Sequence, residues 1–467
     1  MMWFQIVRDG PKSLTQQIYE KLRSYILNGE LQEGEKVPST RELSASLQVS
    51  RNITLEVYDQ LASEGYLEVR PKSGTYIAAG AAFLRPEMAH RRKEKEKVND
   101  DLENMIDFKA STPAMDHFPR KVWGKLAKDV CINADEQAFG YLDSSGLQEL
   151  REELSRYLYH TRGVNCTADN IVITSGATQV LSLITELLVK NKQSIAVEDP
   201  VTDEMRNIFS YHGADLVPIP ADEKGLKPEH LPMDTPPGFI FTLPSHQFPL
   251  GSTLTIQRRI QLIEYARRHN TYIVEDDYDS EFTYEGSQVH SIQGLDPERV
   301  IYVGTFSKIL SPGLRIGYAV LPADLLADFK RLKWYSDRHH SGIEQLILAR
   351  FLKDGHFDKH IRKMKRIYRQ RRQALVDSLK EHFPDCRIWG HAAGMHLVAE
   401  FPSTVFEGEL LEWIFSHSVR VYPVEQYSIL KGNHKNKIVL GYGSLTPDRI
   451  EEGIARLKKA ISSFPEK

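Results

Sequence analysis

Lys308 stands in the run Gly304-Thr305-Phe306-Ser307-Lys308-Ile309-Leu310-Ser311-Pro312-Gly313-Leu314-Arg315-Ile316-Gly317. A lysine in a loop is ordinarily a solvated surface group. This one follows the apolar segment Val300-Ile301-Tyr302-Val303 and is bracketed by glycines. That setting argues for an amine drawn inward, where it can condense with an aldehyde. Thr305 and Ser307 place small hydroxyl donors beside it, and Arg315 offers a planar fork for a phosphate. Upstream, Thr271-Tyr272-Ile273-Val274 runs into Glu275-Asp276-Asp277-Tyr278. Asp276 can pair with a protonated pyridine nitrogen, and Tyr278 can donate to a ring hydroxyl. Taken alone, an acidic cluster after a strand is more often a helix cap or a metal site.

Two further segments carry the same kind of chemistry. Ile171-Val172-Ile173-Thr174 leads through Ser175-Gly176 into Ala177-Thr178-Gln179, a strand, a glycine turn and a helix start. The free N–H groups and positive dipole end at Ala177 and Thr178 suit a phosphate, although a tight strand-to-helix turn needs no ligand. Thr242-Leu243-Pro244-Ser245-His246-Gln247-Phe248-Pro249 supplies a polar loop from which His246 or Gln247 can reach a ring oxygen. Short apolar strands alternating with helical patterns from Ile106 onward place all these loops at strand ends. Ligands gather there in parallel sheets.

The amino-terminal part has a different texture. Leu14, Ile18, Leu22, Tyr25 and Ile26 recur at helical spacing, closed by Asn28-Gly29. Ser39 and Glu42 stand in capping-box spacing, so a second helix begins there with Leu43 and Leu47 inward. Ser50 can cap a third helix running to Glu64, with Ile53, Val57 and Leu61 inward. Tyr66–Arg70 and Thr75–Ile77 read as a hairpin around Pro71-Lys72-Ser73-Gly74. Three helices and a hairpin make a winged helix-turn-helix whose third helix enters the major groove. Its first turn presents Ser50, Arg51, Asn52 and Thr54 to base edges, with Arg suited to guanine and Asn to adenine. Arg41 and Lys72 are placed for phosphates or the minor groove. A three-helix protein-interaction module fits the same pattern. Residues 1–80 hold 9 Lys and Arg against 10 Asp and Glu, so any basic face is local.

With 467 residues and a net charge of −3, the chain suits several domains and is neither a uniformly basic nucleic-acid coat nor an acidic tail. Three separated cysteines form no CxxC pair, which points to a reducing compartment without structural zinc; no metal site is expected. Met1–Gly10 lacks the apolar core of a secretory signal, and no run is apolar enough to span a membrane. The expected division is a DNA-binding domain over 11–79, a linker over 80–104 containing the charged run 90–97, and a ligand-binding body over 105–463.

The run from Leu31 to Tyr76 resembles the head of GntR-type regulators, through Pro38-Ser39-Thr40-Arg41-Glu42-Leu43, Val49-Ser50-Arg51-Asn52 and Glu64-Gly65-Tyr66-Leu67. That resemblance implies that Arg41, Ser50, Arg51 and Gly74 sit at the operator. The rest of the chain resembles fold-type I aminotransferases that use pyridoxal 5′-phosphate, and the whole chain looks like a MocR-type transcriptional regulator. The resemblance implies an α/β body with a large mixed sheet and a smaller α+β subdomain. It implies Lys308 as the Schiff-base lysine, Asp276 on the pyridine nitrogen and Tyr278 on the ring oxygen. Ala177, Thr178, Thr305 and Arg315 would hold the phosphate, and Tyr141 would reach it across a homodimer. Two heads then imply double-stranded DNA with two half-sites, bound in the cytoplasm of a bacterium, at its nucleoid.

Two departures bear on function. Thr202 stands where the family stacks an aromatic on the ring, so His246 or Phe248 is expected to cover that face. Glu204 and Gln426 align with arginines that relatives responsive to GABA use for a carboxylate, and Lys437–Ser444 holds no Arg, which leaves Arg206 as the nearest candidate. The expected function is therefore a regulator sensing pyridoxal phosphate or an amine or amino-acid ligand. The alternative is an aminotransferase with an appended DNA-binding head; at most a weak half-reaction is expected.

Overall fold

The computed structural model describes residues 4, 6–8, 10–81, 104–110, 112–189 and 193–465. The charged run 90–97 lies outside them. The chain divides into two compact units, 1–98 and 99–467.

In the first unit, α1 (Leu14–Leu27), α2 (Thr40–Leu47) and α3 (Arg51–Ser63) precede the antiparallel hairpin of β1 (Leu67–Arg70) and β2 (Gly74–Ile77). Ile18, Leu22, Ile26, Leu43, Leu47, Val57, Leu61, Leu67 and Ile77 form its core. The Ser39–Glu42 capping box is complete in both directions, which satisfies two of the orphan donors at the start of α2. Ser50 occupies the cap position of α3, but its hydroxyl makes no capping bond. Ile53 is only partly buried, packed at the edge of the core. Thr54 departs from the expectation that it faces DNA. It is fully buried, and its hydroxyl donates to the Thr40 and Arg51 carbonyls at 2.9 Å each, tying α2 to α3.

The second unit begins with β3 (Ile106–Asp107), α4 (Arg120–Asn133) and α5 (Gln148–Arg162). The central α/β region follows as β4 (Ile171–Thr174), α6 (Ala177–Leu188), β5 (Ser194–Asp199), α7 (Asp203–Tyr211), β6 (Asp215–Asp222), β7 (Gly225–Leu226), β8 (Phe239–Thr242), α8 (Ile256–His269), β9 (Tyr272–Asp277), β10 (Val300–Thr305) and β11 (Gly317–Val320). Its eight strands run in the order β4-β11-β10-β9-β8-β5-β6-β7. From β10 to β6 neighbours are parallel, whereas β11 is antiparallel to both β10 and β4. Ile171, Val172, Ile173, Ile273, Val274, Val300, Ile301 and Val303 are fully buried, as strands covered on both faces require.

Next come α9 (Leu326–Ser336), α10 (Gly342–Lys353) and α11 (His356–His382). A smaller region contains β12 (Arg387–Trp389), β13 (His396–Glu400), α12 (Glu409–Ser416), β14 (Val419–Arg420), β15 (Tyr422–Pro423), β16 (Lys437–Gly441) and α13 (Pro447–Ser462). There β12-β13-β16-β15 form an antiparallel sheet, and β14 pairs in parallel with β3. No helix among the described residues is long and apolar enough to cross a membrane.

Candidate functional site

In parallel register, Asp276 on β9 stands opposite Val303 on β10. Both strands end toward the same edge of the sheet, and Lys308 lies in the turn just past β10. Alternation along β9 sends Asp276 and Asp277 to opposite faces. Asp277 is held from below: Arg162 Nε donates to its Oδ2 at 2.7 Å, and the Tyr302 hydroxyl donates to the same oxygen at 2.7 Å. Arg162 is fully buried and also donates to the Ser245 hydroxyl at 2.6 Å, so α5, β9, β10 and the loop after β8 are locked together. Burial, the largest single influence, pulls this guanidinium down, but Asp277 together with Tyr302, Glu281 and Glu275 outweighs it and the pKa is raised.

That arrangement leaves Asp276 as the acid facing the site. It is 5% exposed, and its Oδ1 has no hydrogen-bond partner among the described residues. Burial, then Asp277 and Glu204, push its pKa up to about 7, partly opposed by Lys308. An orphaned, buried carboxylate oxygen is costly unless a donor reaches it, and a protonated ring nitrogen is such a donor. Burial lowers the pKa of Lys308, while Glu204, Asp279 and Asp276 hold it up. A lowered pKa brings the neutral amine that condensation requires within easier reach.

The raised pKa of Asp276 makes stability depend on pH. Near pH 4 the unfolded carboxyl begins to ionise while the folded one keeps its proton until about 7. Stability therefore falls as pH rises through that window and stays low above it. Asp276→Asn is expected to raise the melting temperature of the cofactor-free protein at pH 8, by a free energy on the order of a few kcal/mol, with no gain near pH 4. Thermal melts of both proteins across this range test it; an equal gain at both ends would contradict the assignment.

The phosphate-type donors gather where the turn before β11 meets the start of α6. Gly176 caps α6 with φ +104°, so Ala177 and Thr178 open the helix with free N–H groups. Arg315 is exposed, and its Nη2 donates to the Ser175 carbonyl at 2.9 Å. A Cβ built on Gly176 would stand 3.1 Å from that nitrogen, and one on Gly317 only 2.7 Å from Gly176 backbone, so the cradle depends on both glycines. Thr305 Oγ1 accepts from the Ser307 N–H at 3.2 Å and its hydroxyl donates to Ser307 Oγ at 3.1 Å. The residues present fit a phosphorylated pyridine aldehyde: an amine, an unpaired ring-nitrogen acceptor, and an anion cradle.

Other expected residues are placed differently. The Tyr278 hydroxyl donates to the His246 carbonyl at 3.1 Å. His246 is 2% exposed, its Nδ1 lies 3.1 Å from Asp279, and its Nε2 has no partner among the described residues. Its ring lies 4.8 Å from that of His396, tilted by 40°, and Phe248 lies 4.9 Å from the His396 ring. Thr202 spends its hydroxyl capping α7, accepting from Met205 N–H at 3.3 Å. Arg206 is paired with Asp203 and donates to the Gln426 carbonyl at 3.0 Å. Tyr141 is 80% exposed, beneath Arg338 at 4.7 Å from its ring.

Sequence reading missed Asp279, His396 and the Arg162–Asp277 pair. Asp279 lies in the acidic run and could have been flagged. Arg162, at the end of α5, carries no local mark of burial.

On the first unit, Ser50, Arg51 and Asn52 are exposed at the start of α3, and Arg41 is exposed in the first turn of α2. Lys72 is exposed in the hairpin turn with φ +63°. Gly74 has φ +128°, and a Cβ there would meet Lys36 Cε at 2.6 Å.

Comparison with known proteins agrees with both units. Residues 14–77 match the model of the gntR family of bacterial regulatory proteins, and residues 103–457 that of aminotransferase class I and II. The chain is 34% identical to the probable rhizopine catabolism regulatory protein MocR of Rhizobium meliloti, over 97% of this chain and 95% of that protein. It is 30% identical to the pyridoxine biosynthesis transcriptional regulator PdxR of Corynebacterium glutamicum, over 97% of each. Among solved structures, an archaeal alanine:glyoxylate aminotransferase superposes with a TM-score of 0.72 at 28% identity, covering 77% of this chain and 91% of that one. A gntR-family head joined to a body of the pyridoxal-phosphate-dependent aminotransferase fold places the chain in the MocR-type family of transcriptional regulators.

Proposed function

We propose that the body holds pyridoxal phosphate through Lys308, and that the state of this site, set by the cofactor or by an amine or amino-acid ligand, biases DNA binding by the head. The observation that carries this is a half-buried, pKa-lowered Lys308 just past β10, beside the strand β9 on which the Asp276 Oδ1 has no partner among the described residues. When bound, the cofactor supplies an electrophilic carbon and an electron-poor ring. Asp276 would orient the ring nitrogen, Arg315 and the start of α6 would take the phosphate, and buried His246 with partly buried Phe248 would cover the ring face where Thr202 offers no aromatic. A relative that regulates pyridoxine biosynthesis supports the cofactor itself as one signal.

We assign the head to 11–79, the linker to 80–104 and the body to 105–463, working in the cytoplasm as a homodimer. The exposed Tyr141 and Tyr335, with Trp334, are the apolar surface a partner subunit would cover. Two heads call for two half-sites. A ligand shifts DNA affinity only by its unequal affinity for the two arrangements, commonly about 1–3 kcal/mol. Mobility shift on the chain's own upstream region, with and without cofactor, tests this; indifference to the cofactor refutes the sensing role. Sustained transamination is not expected, because Arg206 is engaged with Asp203 and Gln426 rather than offered to a carboxylate.

Within the head, Arg51→Ala is expected to weaken operator binding by about 1–3 kcal/mol without changing the melt. Thr54→Val is expected to do the reverse first: it removes the α2–α3 clamp, costs about 1 kcal/mol of stability, and alters binding only through that loss. Paired melting and mobility-shift titrations separate the two.

A further inference from the structure

Three carboxylates bear on Lys308: Glu204, Asp279 and Asp276. Two have assigned partners. Asp279 faces His246 Nδ1 at 3.1 Å, and the Asp276 oxygen awaits the ring nitrogen. Glu204 sits in the first turn of α7, exposed, where its Oε1 accepts from the neutral Thr178 hydroxyl at 3.2 Å. The start of a helix stabilises a carboxylate, so Glu204 needs no protein cation to stay there. Asp203, beside it, is already taken by Arg206. The same Arg206 is the cation in sequence reach of Glu204, and it is tied to Asp203 and the Gln426 carbonyl. Glu204 thus ties the start of α7 to the start of α6 beside the phosphate cradle, its hydrogen bond goes to an uncharged group, and its charge is felt at Lys308.

We propose that Glu204 is the selectivity residue of the effector pocket, and that the pocket takes a primary amine bearing a second cationic group, a short diamine or polyamine, in preference to an amino acid. The far ammonium of such a ligand forms a charge-assisted hydrogen bond to Glu204, whereas a carboxylate there meets a like charge. This inference rests on the reading that Lys308 carries the cofactor. Lys109 is the opposing consideration: it is exposed, and its charge is felt at Lys308. It is the group that would serve a carboxylate if Glu204 did not decide the matter.

The test uses the full-length, cofactor-loaded protein and three probes of equal chain length: 1,4-diaminobutane, butylamine and 4-aminobutanoate. Change in the visible absorption reports binding. The diamine is expected to half-saturate at a concentration about tenfold or more below 4-aminobutanoate, and below butylamine. Glu204→Gln is expected to erase the advantage over butylamine, and Glu204→Arg to move preference toward 4-aminobutanoate. A preference for 4-aminobutanoate in the unaltered protein overturns the proposal, as does an unchanged ratio in Glu204→Gln; Lys109→Gln then shows whether Lys109 is the carboxylate anchor. Silence to all three probes with the cofactor band present also overturns it, while leaving the cofactor reading intact. Absence of any band on adding pyridoxal phosphate brings down the cofactor reading first, and this proposal with it.

Discussion

Lys308→Ala is expected to yield a folded protein that stays colourless when supplied with pyridoxal phosphate and binds its operator identically with and without it. Lys308 lies in a loop past β10 and is half-buried, so its removal opens little core. What disappears is the amine. Losing one charged hydrogen bond weakens a ligand by about ten- to a hundredfold; losing a covalent link is expected to exceed that. Lys308→Arg sharpens the result, because a guanidinium keeps the positive charge yet does not deprotonate to condense. Visible absorption and a cofactor titration followed by mobility shift check both variants. A colour that survives in Lys308→Ala would move the covalent site to another residue, and a surviving DNA response would separate sensing from the lysine.

Arg162→Met is expected to be the most damaging substitution away from the cofactor. The guanidinium is fully buried and is the cation opposite Asp277, 115 positions away in sequence. Without it, an anion stays buried with the Tyr302 hydroxyl as its remaining donor. Breaking one side of a buried pair costs about 3–5 kcal/mol, a drop on the order of 10 °C in a domain of this kind. Cofactor retention is expected to fall as well, since Asp277 sets the backbone from which Asp276 reaches the ring. Adding Asp277→Asn removes the stranded charge and is expected to recover part of the lost stability. Thermal melts of the single and double variants measure this; a single variant that melts with the unaltered protein would deny the network its structural role.

The strands, turns and caps that carry the candidate site are legible in the residues themselves. Lys308, Asp276 and the Gly176 turn each sit in a short run whose apolar flank declares a buried strand and whose end declares a loop. The Ser39–Glu42 box needs partners three residues apart, and it formed as spaced. Thr54 misled because a helix start offers both faces to a polar residue. Only the approach of α2 showed that its hydroxyl points inward. Thr202 looked like a missing aromatic and turned out to be a helix cap.

The features that hold within one strand, turn or cap, and the chemistry of the residues there, were determined by the sequence alone, because their hydrogen bonds and burial close over a few positions. Which distant groups meet was decided by sheet order and helix docking. Asp277 with Arg162, His246 with Asp279 and His396, and Arg206 with Gln426 are pairings across loops and strands. No local spacing encodes them, since a polar side chain's partner depends on what the rest of the chain leaves within about 3 Å of it.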